Sequence, residues 1–281
     1  MISLATSAMG VRDRKVLGFI EKIQPPFRRW QSATLAFEAV LRDRLFGSIP
    51  ITTPRRADFD VVINACELRS GSAFRFGSRE SGCWRYGAID ENEVEVAHAV
   101  AASAAYPVLL PALNEVLTFA DRNGVTRKRR VLLTDGGVYD NLGVTCLEPG
   151  SASDVGYNRF APEYIICCDA GQGIFKDTTV PYLWGARMAR AFESVFRKAQ
   201  NATQNRLHLL AATDQMKGFV LSYLGQIDSR VPYAPHDLVR REEVFEYPTD
   251  FAAMGPSEID RLAKRGEQLT RTLINYYCPE L

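Results

Sequence analysis

The residues best placed to do chemistry lie in LLTDGGVYDNLG, Leu132 to Gly143, where an apolar run stops at Asp135 and two glycines follow. Val131, Leu132 and Leu133 have the character of a buried strand. Gly136 and Gly137 allow the backbone to turn sharply and to approach a ligand with no side chain in the way. The expectation is a carboxylate delivered to the carboxyl end of a central strand, where open parallel sheets place their chemistry. The plainer reading is a turn aspartate that accepts hydrogen bonds from nearby backbone amides.

A second apolar run, Tyr164 to Cys168, also ends in an acidic residue and glycines, Asp169-Ala170-Gly171-Gln172-Gly173. GQGIFK has half of a phosphate-binding fingerprint but lacks the third glycine and the Lys-Ser or Lys-Thr ending, so a strand-to-helix turn accounts for it better. Asp169 reads as a turn residue before it reads as a second site carboxylate. Ser103, among alanines, has neither a nucleophile elbow nor oxyanion donors beside it and reads as helix packing. His98, His208 and His236 are far apart with no HxxxH spacing, and no CxxC pair occurs, so neither a metal site nor a cofactor is expected.

With 46% hydrophobic and 24% charged residues over 281 positions, the chain can bury one large core, and residues 1–281 are expected to form a single α/β domain. Lys plus Arg is 34 against 33 for Asp plus Glu, which leaves no overall field to attract nucleic acid. Trp30, Trp84 and Trp184 are scattered, as core or surface anchors would be, and not grouped as a base-stacking platform. Arg127-Lys128-Arg129-Arg130 is a candidate contact for anionic lipid headgroups, although a solvated hairpin arm is the simpler account. Cys66, Cys83, Cys146, Cys167, Cys168 and Cys278 read as buried reduced thiols, which suits the cytoplasm. No apolar run approaches the roughly twenty residues that span a bilayer, and the first residues do not form a signal peptide, so membrane contact would be peripheral.

The elements that must hold Asp135 follow from periodicity. Val16 to Phe46 predicts two helices around Pro25-Pro26. Asp58 to Cys66 and Ala73 to Phe76 predict two strands around a turn at Arg69–Ser72, and Glu93 to Ala105 a helix stopped by Pro107. Val116 to Ala120 and Val131 to Thr134 flank Asn123-Gly124, a strong hairpin signal. Tyr164 to Cys168 predicts a strand buried on both faces, Tyr182 to Gln200 a helix, and Leu207 to Ala212 another buried strand. Ser257 is expected to cap a final helix, and Ala211 to Pro256 to form a long surface excursion. Strands alternating with helices imply α/β architecture in three layers, with a mostly parallel central sheet flanked by helices.

Three patterns in order, NACELRSGSAFRF, then AVAASAAYPVLLPA, then LLTDGGVYDNLG, resemble the patatin-like phospholipase family over roughly Val11 to Gly173. Ala102, Ser103, Ala104, Ala105 and Pro107 match the family's small-residue helix ending in proline. Asp135, Gly136, Gly137, Asp140 and Asn141 match its Asp-Gly-Gly motif. The resemblance implies a patatin-like fold and a serine–aspartate dyad that hydrolyses ester bonds of phospholipids or other acyl lipids. In it Asp135 would be the proton acceptor, Gly136 and Gly137 the supporting turn, and neither a metal nor a cofactor would take part.

The family's glycine-rich oxyanion loop and G-x-S-x-G elbow do not occur. Ser7 lacks flanking glycines, and Gly77 to Gly82 (GSRESG) has the wrong spacing. The chain therefore reads as a patatin-like domain without its N-terminal strand, oxyanion loop and elbow, inactive alone, with apolar surface left uncovered. The alternative is a non-catalytic remnant or pseudoenzyme that binds lipid or a protein partner. Oligomeric state is not legible.

Overall fold

In the computed structural model the described residues are 32–53, 58–89, 94–107, 109–149, 160–171, 180–248 and 252–281. They fall into two compact units, Met1–Tyr139 with Pro181–Arg197, and Asp140–Val180 with Lys198–Leu281.

The first unit is built on antiparallel strands. Gly71, at φ +64°, turns β1 (Val62–Glu67) back into β2 (Ser72–Gly77). Short strands β3 (Ser81–Cys83) and β4 (Gly87–Ile89) follow, then β5 (Leu113–Ala120) and β6 (Thr126–Asp135). Gly124, at φ +74°, forms the Asn123-Gly124 turn of the expected hairpin. β6 then pairs with β1, Ala65 opposite Asp135, and the order β1-β2-β3-β4-β5-β6 closes into a barrel. Phe74, Phe76, Phe119, Val131 and Leu133 fill its interior.

The expected three-layer, mostly parallel sheet is thereby overturned. Tight turns separate β1 from β2 and β5 from β6, and a parallel pair needs a crossover of a dozen or more residues. Neighbouring strands joined by such turns can only run antiparallel, and here every barrel pairing does.

Helix α1 (Ser32–Leu41) continues into a π-helical turn, Arg42–Phe46. It packs through Leu41 on Ala97 and Ala101 of α2 (Val96–Ser103). The helix expected before Pro25 lies outside the described residues.

A four-residue helical turn, α3 (Gly137–Asp140), leads onward from β6. In the second unit β7 (Tyr164–Asp169) and β8 (Gly218–Tyr223) form the parallel pair, connected through the long helix α4 (Trp184–Ala212). Val220 of β8 packs with Leu273 of the final helix α5 (Pro256–Tyr277).

Four expectations change here. Leu207 to Ala212 is the last part of α4, because Thr203 and Leu207 are buried at helical spacing, four residues apart. β7 is buried on one face only, with Ile165 and Cys167 inside and Ile166 and Cys168 exposed. The stretch read as a surface excursion contains β8 and buries Met216, Val220, Val231 and Val244. Helix α5 starts with Pro256 at its first turn and Gly255 at the cap, where proline's missing N–H costs nothing, so Ser257 is not the cap.

Candidate functional site

Asp135 is the last residue of β6, and its surroundings come from three separated segments of the first unit. The first is β6 itself, whose Val131 and Leu133 are fully buried and whose Thr134 is 0% exposed. The second is α2. Ala97, Ala99, Ala101 and Ala102 are all at 0% exposure, and side chains this small let the helix backbone approach the barrel closely.

Beyond α2 the chain unwinds ahead of Pro107, and its freed carbonyls receive the end of β6. Asp135 N–H donates to Ala105 O at 3.1 Å, Gly136 N–H to Ser103 O at 3.3 Å, and Thr134 Oγ1 to Ala105 O at 2.6 Å. The third segment is β1. A Cβ on Gly136 would lie 2.3 Å from Asn64 O, so only glycine allows the two backbones to pass at that distance. The three sequence patterns that suggested the chemistry thus meet at the backbone of Asp135 and Gly136.

The carboxylate is half-buried. Oδ1 accepts the Gly137 N–H at 2.7 Å, and among the described residues no donor reaches Oδ2. Burial pushes the Asp135 pKa above the ordinary carboxylate value, and the Gly137 N–H offsets part of that rise. A carboxylate with a raised pKa is better able to take a proton than one at the ordinary value. Among the described residues no serine hydroxyl is hydrogen-bonded to it. β6 is also no free edge, since β1 pairs with it at Asp135, so the carboxylate does not hang from an edge hairpin.

Other candidates have different duties. Ser103 ends α2 and serves the site through its carbonyl. Cys66, opposite Thr134, is buried, and burial first, then the charges of Glu67 and Asp135, push its thiol up to about 11. It stays a neutral thiol at ordinary pH. Arg127, Lys128, Arg129 and Arg130 lie exposed along β6, paired with β5.

In the second unit Asp140 is buried, with Oδ1 accepting from Gly143 N–H and Oδ2 from Thr145 N–H and Oγ1. Asp169 accepts from Gly171 N–H at 2.8 Å and from Gln200 Nε2 at 2.7 Å. Both are satisfied turn carboxylates. Most of GQGIFK lies outside the described residues. Among the described residues no three His, Cys, Asp or Glu side chains are grouped to hold a metal ion.

Two features have no counterpart in the sequence reading. Glu67, 0% exposed, accepts from the N–H groups of Arg69, Ser70 and Leu132, from Ser70 Oγ and from Tyr86 Oη, which ties the β1–β2 turn to β6. Its only signal was an acidic residue at the end of a strand. A cavity of about 540 Å³ opens at the carboxyl ends of β7 and β8, lined by Cys168, Asp169, Ser222, Tyr247, Leu269 and Thr270 among others. With β8 read as loop, no sequence signal could assemble it.

Comparison with protein-family models, with curated proteins and with solved structures returned no match to this chain.

Proposed function

We propose that this chain carries the carboxylate half of a serine–aspartate acyl hydrolase of patatin-like type, acting on ester bonds of phospholipids or related acyl lipids. One observation carries the reading: β1, the exit of α2 and the end of β6 converge on Asp135, half-buried, with a raised pKa and, among the described residues, no donor on Oδ2.

In this mechanism Asp135 Oδ2 removes the proton of a serine hydroxyl as its oxygen attacks the ester carbonyl. It then returns that proton to the departing alkoxide, leaving an acyl-serine. Water then attacks the acyl-serine carbonyl as it gives a proton to Asp135, which passes that proton to the departing serine oxygen as the fatty acid is released. The serine comes from outside the present sequence, which has no G-x-S-x-G elbow. Six free thiols suit a reducing compartment, so we place the protein in the cytoplasm. Among the described residues no helix is long and apolar enough to cross a membrane. Among the described residues no serine is hydrogen-bonded to Asp135, which favours a second reading, a non-catalytic lipid-binding relative.

The test is expression of the gene with whatever in-frame coding sequence precedes Met1, followed by fluorophosphonate labelling and a phospholipid hydrolysis assay. The hydrolase reading expects one labelled serine and turnover that Asp135→Asn lowers by roughly 10²–10⁴-fold, the usual contribution of a general base. Turnover unchanged in Asp135→Asn overturns it. A protein that neither labels nor hydrolyses supports the second reading.

A further inference from the structure

Between Trp184 and Arg197, the part of α4 within the first unit, no residue is buried, although the segment is rich in large apolar side chains. Tyr182, Leu183 and Trp184 lead into it, each 78% exposed, and Val195 is 60% exposed. At 100° per residue, Trp184, Met188, Phe192, Val195 and Phe196 fall within an arc of about 120°. Phe192 and Phe196 stack with ring centroids 6.2 Å apart on that arc. Arg187, Arg190 and Arg197 lie on the far side, against a single acidic residue, Glu193. Arg187 Nε donates to Pro181 O, and Arg190 pairs with Glu193 at 3.1 Å.

Trp184 and Val195 of that arc are exposed and Met188, Phe192 and Phe196 half-buried, whereas a core helix would bury the arc whole. Tyr and Trp at one end, bulky apolar residues along one side and arginines on the other match helices that lie in the plane of a bilayer surface. Their apolar side enters the acyl boundary, and the guanidinium groups meet phosphate headgroups. The excess of arginine over acid favours an anionic lipid surface over a second copy of the same helix, which would bring like charges together.

We propose that Pro181–Arg197 is a lipid-docking helix that seats the protein on an anionic membrane, with Tyr182, Leu183 and Trp184 as its leading anchor. The proposal deepens the acyl-lipid reading and rests on it for the choice of a lipid surface as the occupant.

The experiment measures co-sedimentation of the full chain with vesicles of dialkyl ether phosphatidylcholine, with and without dialkyl ether phosphatidylglycerol. Ether lipids contain no ester to cleave, so binding is read apart from hydrolysis. The wild type should bind the anionic vesicles. The double variant Leu183→Asp/Trp184→Asp, at exposed positions where folding is not at stake, should lose about tenfold or more in partitioning. Arg187→Gln/Arg190→Gln should lose roughly tenfold on anionic vesicles and little on neutral ones. Asp135→Asn should bind as the wild type does, so a failed hydrolase reading leaves this result standing. The proposal is overturned if the wild type binds neither vesicle or if Leu183→Asp/Trp184→Asp binds equally well. It is also overturned if that variant instead dissolves a dimer that has no affinity for vesicles.

Discussion

The main-chain N–H of Asp135 donates to the carbonyl of Ala105 at 3.1 Å, so the residue following the small-residue helix fixes the backbone of the candidate base. The same carbonyl accepts Thr134 Oγ1 at 2.6 Å. Thr134→Val keeps the shape of the side chain and removes that second donor. It should cost about 1 kcal/mol, the net worth of a typical buried hydrogen bond, measured by urea unfolding. On the proposed hydrolase reading it should also lower kcat, since the end of β6 then keeps two of its three bonds to the helix exit.

Gly136 should be the least replaceable residue of the site. A methyl group there would meet Asn64 O at 2.3 Å and Asn64 C at 2.7 Å, both backbone atoms that cannot rotate away. Gly136→Ala must force β1 and the end of β6 apart, at a cost of about 1–3 kcal/mol or more. Thermal unfolding should show the loss. A variant as stable as the wild type would mean that β1 and β6 part easily there.

The charge on Asp135 should oppose stability. Burial raises its folded-state pKa above the ordinary value of 3.8. The native state therefore holds the proton more tightly than the unfolded chain does. Stability is lost as pH climbs from the unfolded value through the folded one, and the full penalty is present at neutral pH. Asp135→Asn removes the charge and should gain up to about 1 kcal/mol at pH 7. That gain should vanish near pH 3, where the wild-type carboxyl is protonated in both states. Equal stability of the two proteins at pH 7 would rule out a desolvated carboxylate.

The parts of this arrangement that local sequence encodes were legible before the structure. Asn123-Gly124 marks its own hairpin, Gly71 its own turn, and the alanines of α2 announce a helix that packs closely. Which strands meet was not legible, because the closure of β1 on β6 joins Ala65 to Asp135 across the length of the barrel. Turn lengths carried that information, and alternation of strand and helix was a poorer guide. Leu207 to Ala212 shows the same limit, since a short apolar run looks alike in a buried strand and in the last turns of a helix. β8 carries a weak sequence signal, because GFVLSY alternates buried and half-buried residues, with polar or small ones toward its ends. The cavity beside it depends on Ser222 and Thr270, brought within 2.8 Å from a strand and a helix.

His98 should make the first unit sensitive to alkaline pH. It stands between Glu38 of α1 and Glu115 of β5, with Nδ1 and Nε2 at 3.3 and 3.2 Å from their carboxylates. Burial by itself would lower its pKa, but hydrogen bonds and charge from Glu115 and Glu38 outweigh burial and lift it to about 10. The sign follows from a pKa raised on folding. The stabilisation is complete below the unfolded value of 6.5 and is lost as pH rises toward 10. His98→Gln should cost roughly 3 kcal/mol at pH 6, as removal of one partner from a buried ion pair does. The two proteins should converge in urea midpoint by about pH 10. A gap of constant size across that range would show that His98 acts through packing against Phe76 and not through its charge.

Arg265 should decide whether the loop after β8 holds together. The side chain is 0% exposed, and every nitrogen is used: Nε toward Leu224 O at 3.3 Å, Nη1 toward Asp228 Oδ1 at 2.7 Å and Val239 O at 2.6 Å, and Nη2 toward Gln226 O at 2.6 Å. One guanidinium from α5 thus gathers three backbone carbonyls and a carboxylate spread over residues 224–239. Arg265→Met would fill much of the volume while leaving those acceptors without a donor, a loss of about 3–5 kcal/mol. Arg265→Lys should rescue little, because a single ammonium cannot span acceptors set out for a planar fork. Limited proteolysis gives the readout: both variants should be cut between Leu224 and Arg241 under conditions that leave the wild type intact. Resistance of Arg265→Lys equal to wild type would show that positive charge alone, without the fork, is what orders this loop.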